Sequence, residues 1–536
     1  MTTWCDLRPS LTDYLHRRLL AFHEGFRHNL ALLGPSGSGK SELLRHVLET
    51  SGASATIIAC NLERDSPREF LRRFTRSILS SVLCAPAETP LAQLLEQVQA
   101  TYPMTAAAIQ QLDRYASRHS PVEAFIQALD VVPVVQRELR RPCVLLLDEF
   151  LYLEELGLSH TFHELGKRVM IWPNVLFWLT SSSVCRAQTI LRERLHLLFG
   201  QFEILNMGLV DGAAATPWIH QLAPAVARQP DVVQFLLHWL GTSPWSLSVL
   251  LKRMGELAIL ESPKKPAEAL LAQAAWDVLG SPDGVLHQWC LAQTQRILER
   301  PHGSLAREAL VAIARGARTT QAITKHCGSR RSLSAALQLL VEQDVVQRRG
   351  ACWIIPDQLL ACWLIAKFDL GSPTSAKAER IARQTFDHTL AAIWAQWRER
   401  TGRPLTERIT QLFSQFRNET VSLDQKTGRL PQFRELTTLN PTGNGEAYIL
   451  ANDHQRRWCC LVHEGKLEES SIAAFEQFCR QQLPKPSRKV VVAPHGLELN
   501  AKLLAKEANM WVWEPHDLNV LLLLYGQPGQ PPATRL

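Results

Sequence analysis

The chain has 536 residues, of which 46% are apolar and 20% are charged. At roughly 100–200 residues per domain, this length predicts about three or four domains, and the composition excludes a wholly disordered chain. Lys and Arg number 58 and Asp and Glu number 51, which gives a net charge of +7. That excess indicates a nucleic-acid partner only if it is concentrated in one region.

The twelve cysteines are scattered, without a C-x-x-C pair or the Cys/His spacing of a zinc finger, so we expect reduced core thiols. The N-terminus lacks the charged and apolar regions of a signal peptide. The longest apolar runs, Val144–Leu147 and Val520–Leu524, are too short to span a membrane. We therefore expect a cytoplasmic protein without a membrane partner.

The first 212 residues alternate strand patterns with helical patterns. Short apolar and β-branched runs of this kind indicate buried strands, and their alternation with helices predicts an α/β fold with a doubly wound parallel sheet. Residues from about 85 to 141 are rich in Ala, Gln and Leu, which predicts a helical insertion before the third strand. The predicted strands are Leu30–Leu33, Thr56–Cys60, Val144–Leu147, Val175–Leu179 and Phe202–Leu205.

A phosphate-binding motif follows the first predicted strand and precedes a helical pattern. It fits G-x-x-x-x-G-K-[ST], in which glycines let backbone amides surround a pyrophosphate at a helix N-terminus. Within it, Lys40 is expected to reach the β- and γ-phosphates of ATP, and Ser41 is expected to bind Mg²⁺. The residues are Gly34, Pro35, Ser36, Gly37, Ser38, Gly39, Lys40 and Ser41.

The partner element is the strand Val144–Leu147 followed by Asp148 and Glu149. After a phosphate-binding loop, this pattern predicts that Asp148 joins the Mg²⁺ shell and that Glu149 polarises the attacking water. The next strand ends at Thr180, where a hydroxyl is placed to sense the γ-phosphate or hold the water. A polar turn at the end of the strand is the alternative interpretation.

These motifs resemble the P-loop ATPases of the AAA+/STAND group, in particular the archaeal-type ATPase family that joins such a module to a winged helix and a restriction-endonuclease-like domain. Gly241–Trp245 is similar to the Gly-x-Pro lid element of STAND proteins, which implies that Pro244 lies at the nucleotide. The resemblance implies four domains. They are an ATPase core at 1–212, a helical lid at 213–297, a winged helix at 298–375 and a mixed α/β restriction-endonuclease-like domain at 376–536.

The predicted winged helix is basic. Between Glu299 and Gly350, nine Lys and Arg residues face four acidic ones, so this segment carries +5. Three helical patterns are followed by a hairpin pattern around Gly350, as in helix-turn-helix domains that bind DNA. The sequence predicts duplex DNA contact; docking of a protein, or autoinhibition, is the alternative. The predicted contact residues are Arg330, Arg331, Arg348 and Arg349.

The last domain carries a Glu-x-Lys element, Glu464-Gly465-Lys466, at the end of an apolar strand. In the restriction-endonuclease-like fold it joins a helix Glu, here Glu407, and a strand Asp around a divalent metal. Tyr448 stands where Asp is expected, and Glu446 could replace it only with a register shift of two residues. We therefore favour a degenerate domain that binds nucleic acid or protein over an active nuclease.

The sequence thus predicts an ATP- and Mg²⁺-binding ATPase that acts as a DNA-associated switch, in which nucleotide-driven closure repositions the later domains. One alternative is an ATP-gated, metal-dependent DNA nuclease in genome defence. Another is a non-catalytic assembly or recruitment factor in which ATP binding sets a homo-oligomer, with a protein partner possible.

Overall fold

The computed structural model describes residues 7–526 except 51–54, 87, 119, 194–201, 209, 242, 261–265, 329–331, 371–375, 424–426, 440–445 and 454–455. The chain divides into two compact units. The first unit contains residues 1–215 and 242–245, and the second contains 216–241 and 246–536. The finer division into core, lid, winged helix and endonuclease-like domain stays a prediction.

The first unit is built on a five-stranded, fully parallel sheet, as in P-loop NTPases. The strand order is β2-β3-β4-β1-β5, so β4 lies between the strand that enters the P-loop and the strand that ends at Asp148. All five strands predicted from the sequence are observed, with ends shifted by one or two residues. They are β1 (Asn29–Leu33), β2 (Thr56–Asn61), β3 (Cys143–Asp148), β4 (Val175–Ser181) and β5 (Phe202–Asn206).

Helices cover both faces of this sheet, which explains why β1 and β4 are buried along their whole length. One core packs α1 and α2 against the sheet, and a larger core packs α3 to α6 and α8 on the other face. The predicted helical insertion is observed as α4 and α5 together with α6. The helices are α1 (Pro9–His23), α2 (Lys40–Thr50), α3 (Pro67–Leu83), α4 (Leu91–Thr101), α5 (Pro103–Arg118), α6 (Pro121–Leu139), α7 (Tyr152–Glu155), α8 (Thr161–Ile171) and α9 (Val184–Glu193).

The region predicted to be a lid is helical. A π-helical turn at Trp276–Gly280 separates two of its helices. The helices are α10 (Gly212–Leu222), α11 (Pro224–Ala227), α12 (Pro230–Leu240), α13 (Pro244–Leu260), α14 (Ala267–Ala275) and α15 (Val285–Leu298).

Three short helices and a two-stranded hairpin follow, in the order that the sequence predicts. Four apolar residues of α18 are buried because their spacing places them on one helix face; they are Leu333, Ala336, Leu337 and Leu340. The elements are α16 (Gly303–Ala314), α17 (Thr320–Cys327), α18 (Leu333–Glu342), β6 (Gln347–Arg349) and β7 (Cys352–Ile354), then α19 (Gln358–Leu370) and α20 (Ala376–Thr401).

The C-terminal part contains a second five-stranded sheet, of mixed direction, with the order β10-β11-β12-β13-β14. β11 is antiparallel to both β10 and β12, whereas β12, β13 and β14 are parallel. The sequence patterns did not reveal β8, β9 and β10. The elements are α21 (Leu405–Ser414), β8 (Glu419–Ser422), β9 (Thr427–Leu430), β10 (Glu435–Leu439), β11 (Glu446–Asn452), β12 (Arg457–His463), α22 (Glu469–Gln481), β13 (Arg488–Val492), α23 (Leu499–Glu507), β14 (Trp511–Trp513) and α24 (Pro515–Leu524).

The tip of the β6–β7 hairpin packs on β8. The Ala351 amide donates a hydrogen bond to the Thr420 carbonyl (2.7 Å), and Cys352 and Ile354 belong to the same buried core as α21 and the C-terminal sheet. Arg318 lies over the Tyr525 ring at 4.7 Å, close to the same junction. The sequence predicts a hairpin with a basic tip, but it does not predict that the tip backbone is held by a later domain.

No helix among the described residues is long and apolar enough to cross a membrane.

The hairpin tip provides a test of this packing. Gly350 has φ +70°, and a Cβ at this position would lie 2.3 Å from the Thr420 carbonyl oxygen. We expect Gly350→Ala to lower the free energy of unfolding by about 3 kcal/mol, through both backbone strain and overlap. The matched control is Gly316→Ala, where φ is +97° and a Cβ meets no atom within 4 Å. Gly316→Ala should lower the free energy of unfolding only by the backbone strain, about 1 kcal/mol. If urea denaturation shows the same loss of stability for both variants, the packing of the tip against Thr420 is contradicted.

Candidate nucleotide-binding site

The P-loop joins the end of β1 to the start of α2. Gly37 and Gly39 have φ of +76° and +89°, a region that favours glycine. Position 34 requires glycine for another reason, since a Cβ there would lie 2.6 Å from Cβ of Met207. The strand–loop–helix geometry predicted from the motif is observed, with the amides of the loop at the N-terminus of α2.

Lys40 is buried inside the loop, with only 5% of its surface exposed. Its Nζ donates to the Gly34 carbonyl (2.9 Å) and to the Pro35 carbonyl (3.3 Å). Glu149 Oε1 lies 3.7 Å from the same nitrogen. Burial lowers the pKa of Lys40, while the Glu149 and Asp148 carboxylates act in the opposite direction. Lys40 Nζ is therefore held by the loop carbonyls beside the Glu149 carboxylate.

Asp148 and Glu149 are fixed by the neighbouring strand through Thr180. The buried Thr180 hydroxyl donates to Asp148 Oδ1 and accepts a hydrogen bond from the Glu149 amide (3.0 Å). The Phe150 amide donates to the Thr180 carbonyl (3.0 Å), which continues the pairing beyond β3. Thr180 therefore holds the Asp148 carboxylate and the Glu149 backbone, contacts that the sequence pattern does not predict.

The Glu149 side chain is held by Ser182, just after β4. Oε2 accepts from the Ser182 amide (2.8 Å) and from the Ser182 hydroxyl (3.0 Å). Glu149 itself has φ +54°, an uncommon conformation for a non-glycine residue and one that is enriched at functional sites. The sequence pattern predicts a hydroxyl near phosphate or water at this strand end, but it does not predict that Ser182 contacts Glu149.

The chemistry of this edge fits a magnesium–triphosphate ligand. Mg²⁺ prefers oxygen ligands and is commonly held by one carboxylate together with substrate phosphates. Asp148 at the end of β3 and Ser41 in the first turn of α2 supply such oxygens. The Ser38 hydroxyl is buried without a hydrogen-bond partner among the described residues. No group of three His, Cys, Asp or Glu side chains suited to a metal occurs among the residues that the structure describes.

Arg8 is a contributor that the sequence analysis missed. It is 7% exposed and lies just before α1, 30 residues from the loop along the chain. Its Nη1 donates to the Ser38 carbonyl (2.9 Å) and its Nε donates to the Gly208 carbonyl (3.0 Å). Burial lowers the pKa of Arg8 to about 10. No local motif marks this residue, because its partners are backbone atoms far away in sequence.

The segment Ser243–Trp245, from the predicted lid motif, contacts the P-loop. The Trp245 amide donates to the Gly37 carbonyl (3.3 Å). A Cβ on Gly37 would lie 2.9 Å from Oγ of Ser243, so this contact also requires glycine at position 37. The sequence prediction placed Pro244 at the nucleotide; the neighbouring Trp245 provides the observed contact with the loop.

The residues of the predicted nuclease site have other partners. Glu464 accepts a hydrogen bond from the Leu405 amide (3.0 Å), the first residue of α21, and Lys466 is 3.8 Å from Glu498. Glu446 pairs in register with His463 across β11 and β12, and Glu407 is exposed in the first turn of α21. These carboxylates are not among any metal-binding group in the described part of the chain.

Tyr448, which replaces the expected Asp, is 3% exposed. Its ring packs against Phe475 and Phe478, at centroid distances of 5.4 Å and 4.6 Å. This position serves the core between the sheet and α22, so its side chain supplies packing where the family pattern has a metal ligand.

Of the predicted DNA-contact residues, Arg330 and Arg331 lie outside the described residues. Arg348 is exposed, lies over the Trp353 ring at 5.4 Å and donates to the Gly350 carbonyl (3.0 Å). Arg349 is half-buried and donates to Gln347 Oε1 (3.3 Å). The role of all four in DNA binding stays a prediction.

One family model and several solved structures are similar to parts of this chain. Residues 8–177 match the AAA ATPase domain family. A Walker-type ATPase of Pyrococcus abyssi has a similar structure, with 16% identity, a TM-score of 0.46 and coverage of 65% of this chain and 94% of that one. The ORC2 protein of Aeropyrum pernix, solved with ADPNP and ADP, has 14% identity, a TM-score of 0.41 and coverage of 72% and 95%.

The Aeropyrum pernix ORC1 protein, solved in complex with DNA, has 14% identity and a TM-score of 0.35, and covers 72% of this chain and 94% of that one. No curated protein sequence matches this chain.

The position of Arg8 yields a prediction. Replacing Arg8 with Met removes the hydrogen bonds to Ser38 and Gly208, so the loop loses a fixed support. We expect ATP to bind about tenfold more weakly, which corresponds to about one charge-assisted hydrogen bond. Isothermal titration with Mg·ATP measures this. The exposed Arg17 on α1, the helix that follows Arg8, gives the control variant Arg17→Met. Equal affinities in the two variants would show that Arg8 does not support the loop.

Proposed function

We propose that this protein binds ATP with Mg²⁺ at the P-loop of the first unit and hydrolyses it. The observation that carries the proposal is the convergence of Lys40, Asp148 and Glu149 at one edge of the parallel sheet, with Lys40 Nζ 3.7 Å from Glu149. The match of residues 8–177 to the AAA ATPase domain family supports it.

Each residue then has a role that follows from its place. The loop amides and Lys40 bind phosphate oxygens, and Lys40 exchanges its hydrogen bonds to Gly34 and Pro35 for them. Asp148 and Ser41 would hold Mg²⁺, which would supply positive charge at the transferred phosphoryl group. Glu149 orients the attacking water and accepts its proton. Ser182 holds Oε2 of this carboxylate, so Oε1 is the oxygen that would accept the hydrogen bond from the water.

A switch function is supported by the contact between Gly37 and Trp245. Trp245 is in the first turn of α13, a continuous helix that extends to Leu260. Phosphate binding acts directly on the Gly37 backbone, so the hydrogen bond from the Trp245 amide links ligand binding to the start of α13. Through that link, nucleotide binding would change the position of α13.

Contact with duplex DNA is our second candidate function. The specific observation in its favour is the compact arrangement of α16 to α18 and the β6–β7 hairpin in a segment that carries +5.

Nuclease activity would need the dispersed carboxylates to gather around a metal. A non-catalytic assembly factor would need only nucleotide binding. Turnover of ATP with and without duplex DNA, followed by inspection of the DNA for cuts, separates these three functions.

The nucleotide site is tested first by Lys40→Ala. Removing this buried cation should weaken Mg·ATP binding by about 10- to 100-fold, the value of a hydrogen bond to a charged group. The control is Lys167→Ala on α8, where an exposed lysine is paired with Glu164. If Lys40→Ala binds ATP as tightly as the unmodified protein, the site is assigned wrongly.

Hydrolysis is tested by Glu149→Gln. This change retains the shape of the side chain but removes the base, so ATP affinity should stay within about threefold while kcat falls on the order of 100-fold or more. Phosphate release under steady-state conditions gives kcat. An unchanged kcat would exclude Glu149 as the base while leaving the binding site intact.

A further inference from the structure

The C-terminal sheet has a strongly basic end that the functions above do not use. We define the basic end by six cationic residues near the start of β10, the β11–β12 turn, the start of β13 and the neighbouring β9. Four of them are exposed and two are half-buried. They are Arg429, Arg434, Arg456, Arg457, Lys485 and Arg488.

Strand direction explains why these residues lie together. Asn452 at the end of β11 pairs with Glu435 at the start of β10 and with Arg457 at the start of β12. Trp458 pairs in turn with Arg488 at the start of β13. The starts of β10, β12 and β13 therefore meet at one edge. The only acidic residues in the segments 434–436, 452–457 and 485–489 are Glu435 and Asp453.

Two of the arginines fix this edge. Arg457 Nε donates to Asn452 Oδ1 (2.9 Å) and its Nη1 donates to the Leu483 carbonyl (2.7 Å). The Arg488 guanidinium lies over the Trp458 and Trp511 rings, 5.5 Å and 4.8 Å from their centroids. These contacts hold the ends of the strands in place, and the exposed cations lie next to them.

The edge is long enough to contact several phosphates. Neighbouring strands are about 4.8 Å apart, so β10 to β13 span about 14 Å. Each strand of B-form DNA carries one phosphate per about 3.4 Å of axis, so about four phosphates of one strand lie along that length. An array of exposed cations on strand ends is suited to a regular phosphate backbone and to no particular base sequence.

We infer that the basic end of the C-terminal sheet binds the phosphate backbone of duplex DNA. This inference rests on the proposed DNA contact and assigns it to a surface other than the β6–β7 hairpin. The hairpin tip is already held by Thr420, whereas Arg429, Arg434, Arg456 and Lys485 are exposed to solvent.

The test compares two triple variants of the full chain that lose the same charge. In the first, Arg429, Arg434 and Arg456 are replaced by Ala. In the control, Arg480, Lys502 and Lys506 on α22 and α23 are replaced by Ala. Binding of a labelled duplex of mixed sequence is followed by fluorescence anisotropy over a series of salt concentrations.

We expect the first variant to bind the duplex at least tenfold more weakly at low salt. The slope of log K against log salt should be reduced by about 2 to 3, because about 0.9 counterions are released per phosphate contact. The control should bind like the unmodified protein.

If both variants bind the duplex as tightly as the unmodified protein, the inference is overturned and DNA contact lies elsewhere on the chain. If both variants lose the same affinity, the inference is also overturned, because net charge alone would then explain binding. Failure of the unmodified protein to bind DNA at low salt would refute the proposed DNA contact itself. Tighter binding to vesicles of acidic phospholipid than to DNA would reassign the basic end to a membrane surface.

Discussion

One buried hydroxyl organises the candidate site. Thr180 lies at the end of β4, between the P-loop strand β1 and the acidic strand β3, and its oxygen joins the Asp148 carboxylate to the Glu149 amide. This is possible because parallel strands end at the same edge of the sheet. The positions of Asp148 and Glu149 relative to Lys40 therefore depend on the strand order, and the proposed ATP hydrolysis depends on those positions.

The Glu149 carboxylate is oriented by two neighbours. Its Oε2 accepts two hydrogen bonds from Ser182, and its Oε1 lies 3.7 Å from Lys40 Nζ. The direction of this side chain therefore depends both on the end of β4 and on the P-loop. The Gly37–Trp245 hydrogen bond connects the same loop to α13. The P-loop backbone thus contacts the residues that begin α13.

The features that depend on a local sequence pattern could be predicted from the sequence. The five strands of the first sheet, the P-loop and the Asp148–Glu149 pair could be predicted, because buried parallel strands and glycine-rich turns have strong local signatures. The roles of Arg8, Ser182 and Trp245 could not be predicted, because each of them contacts a residue that is distant in the chain. The strands β8 to β10 are short and partly polar, and the docking of Gly350 on Thr420 depends on tertiary packing that no local pattern encodes.

The central claim is that ATP binds at residues 34–41. Hydrogen–deuterium exchange with Mg²⁺ and a non-hydrolysable ATP analogue tests it directly, since it reports on backbone amides without any substitution. The account predicts slower exchange of the amides from Gly34 to Ser41, with no change in the segment 429–434 of the C-terminal part. Unchanged exchange at residues 34–41 under saturating nucleotide, or protection confined to another segment, would contradict it.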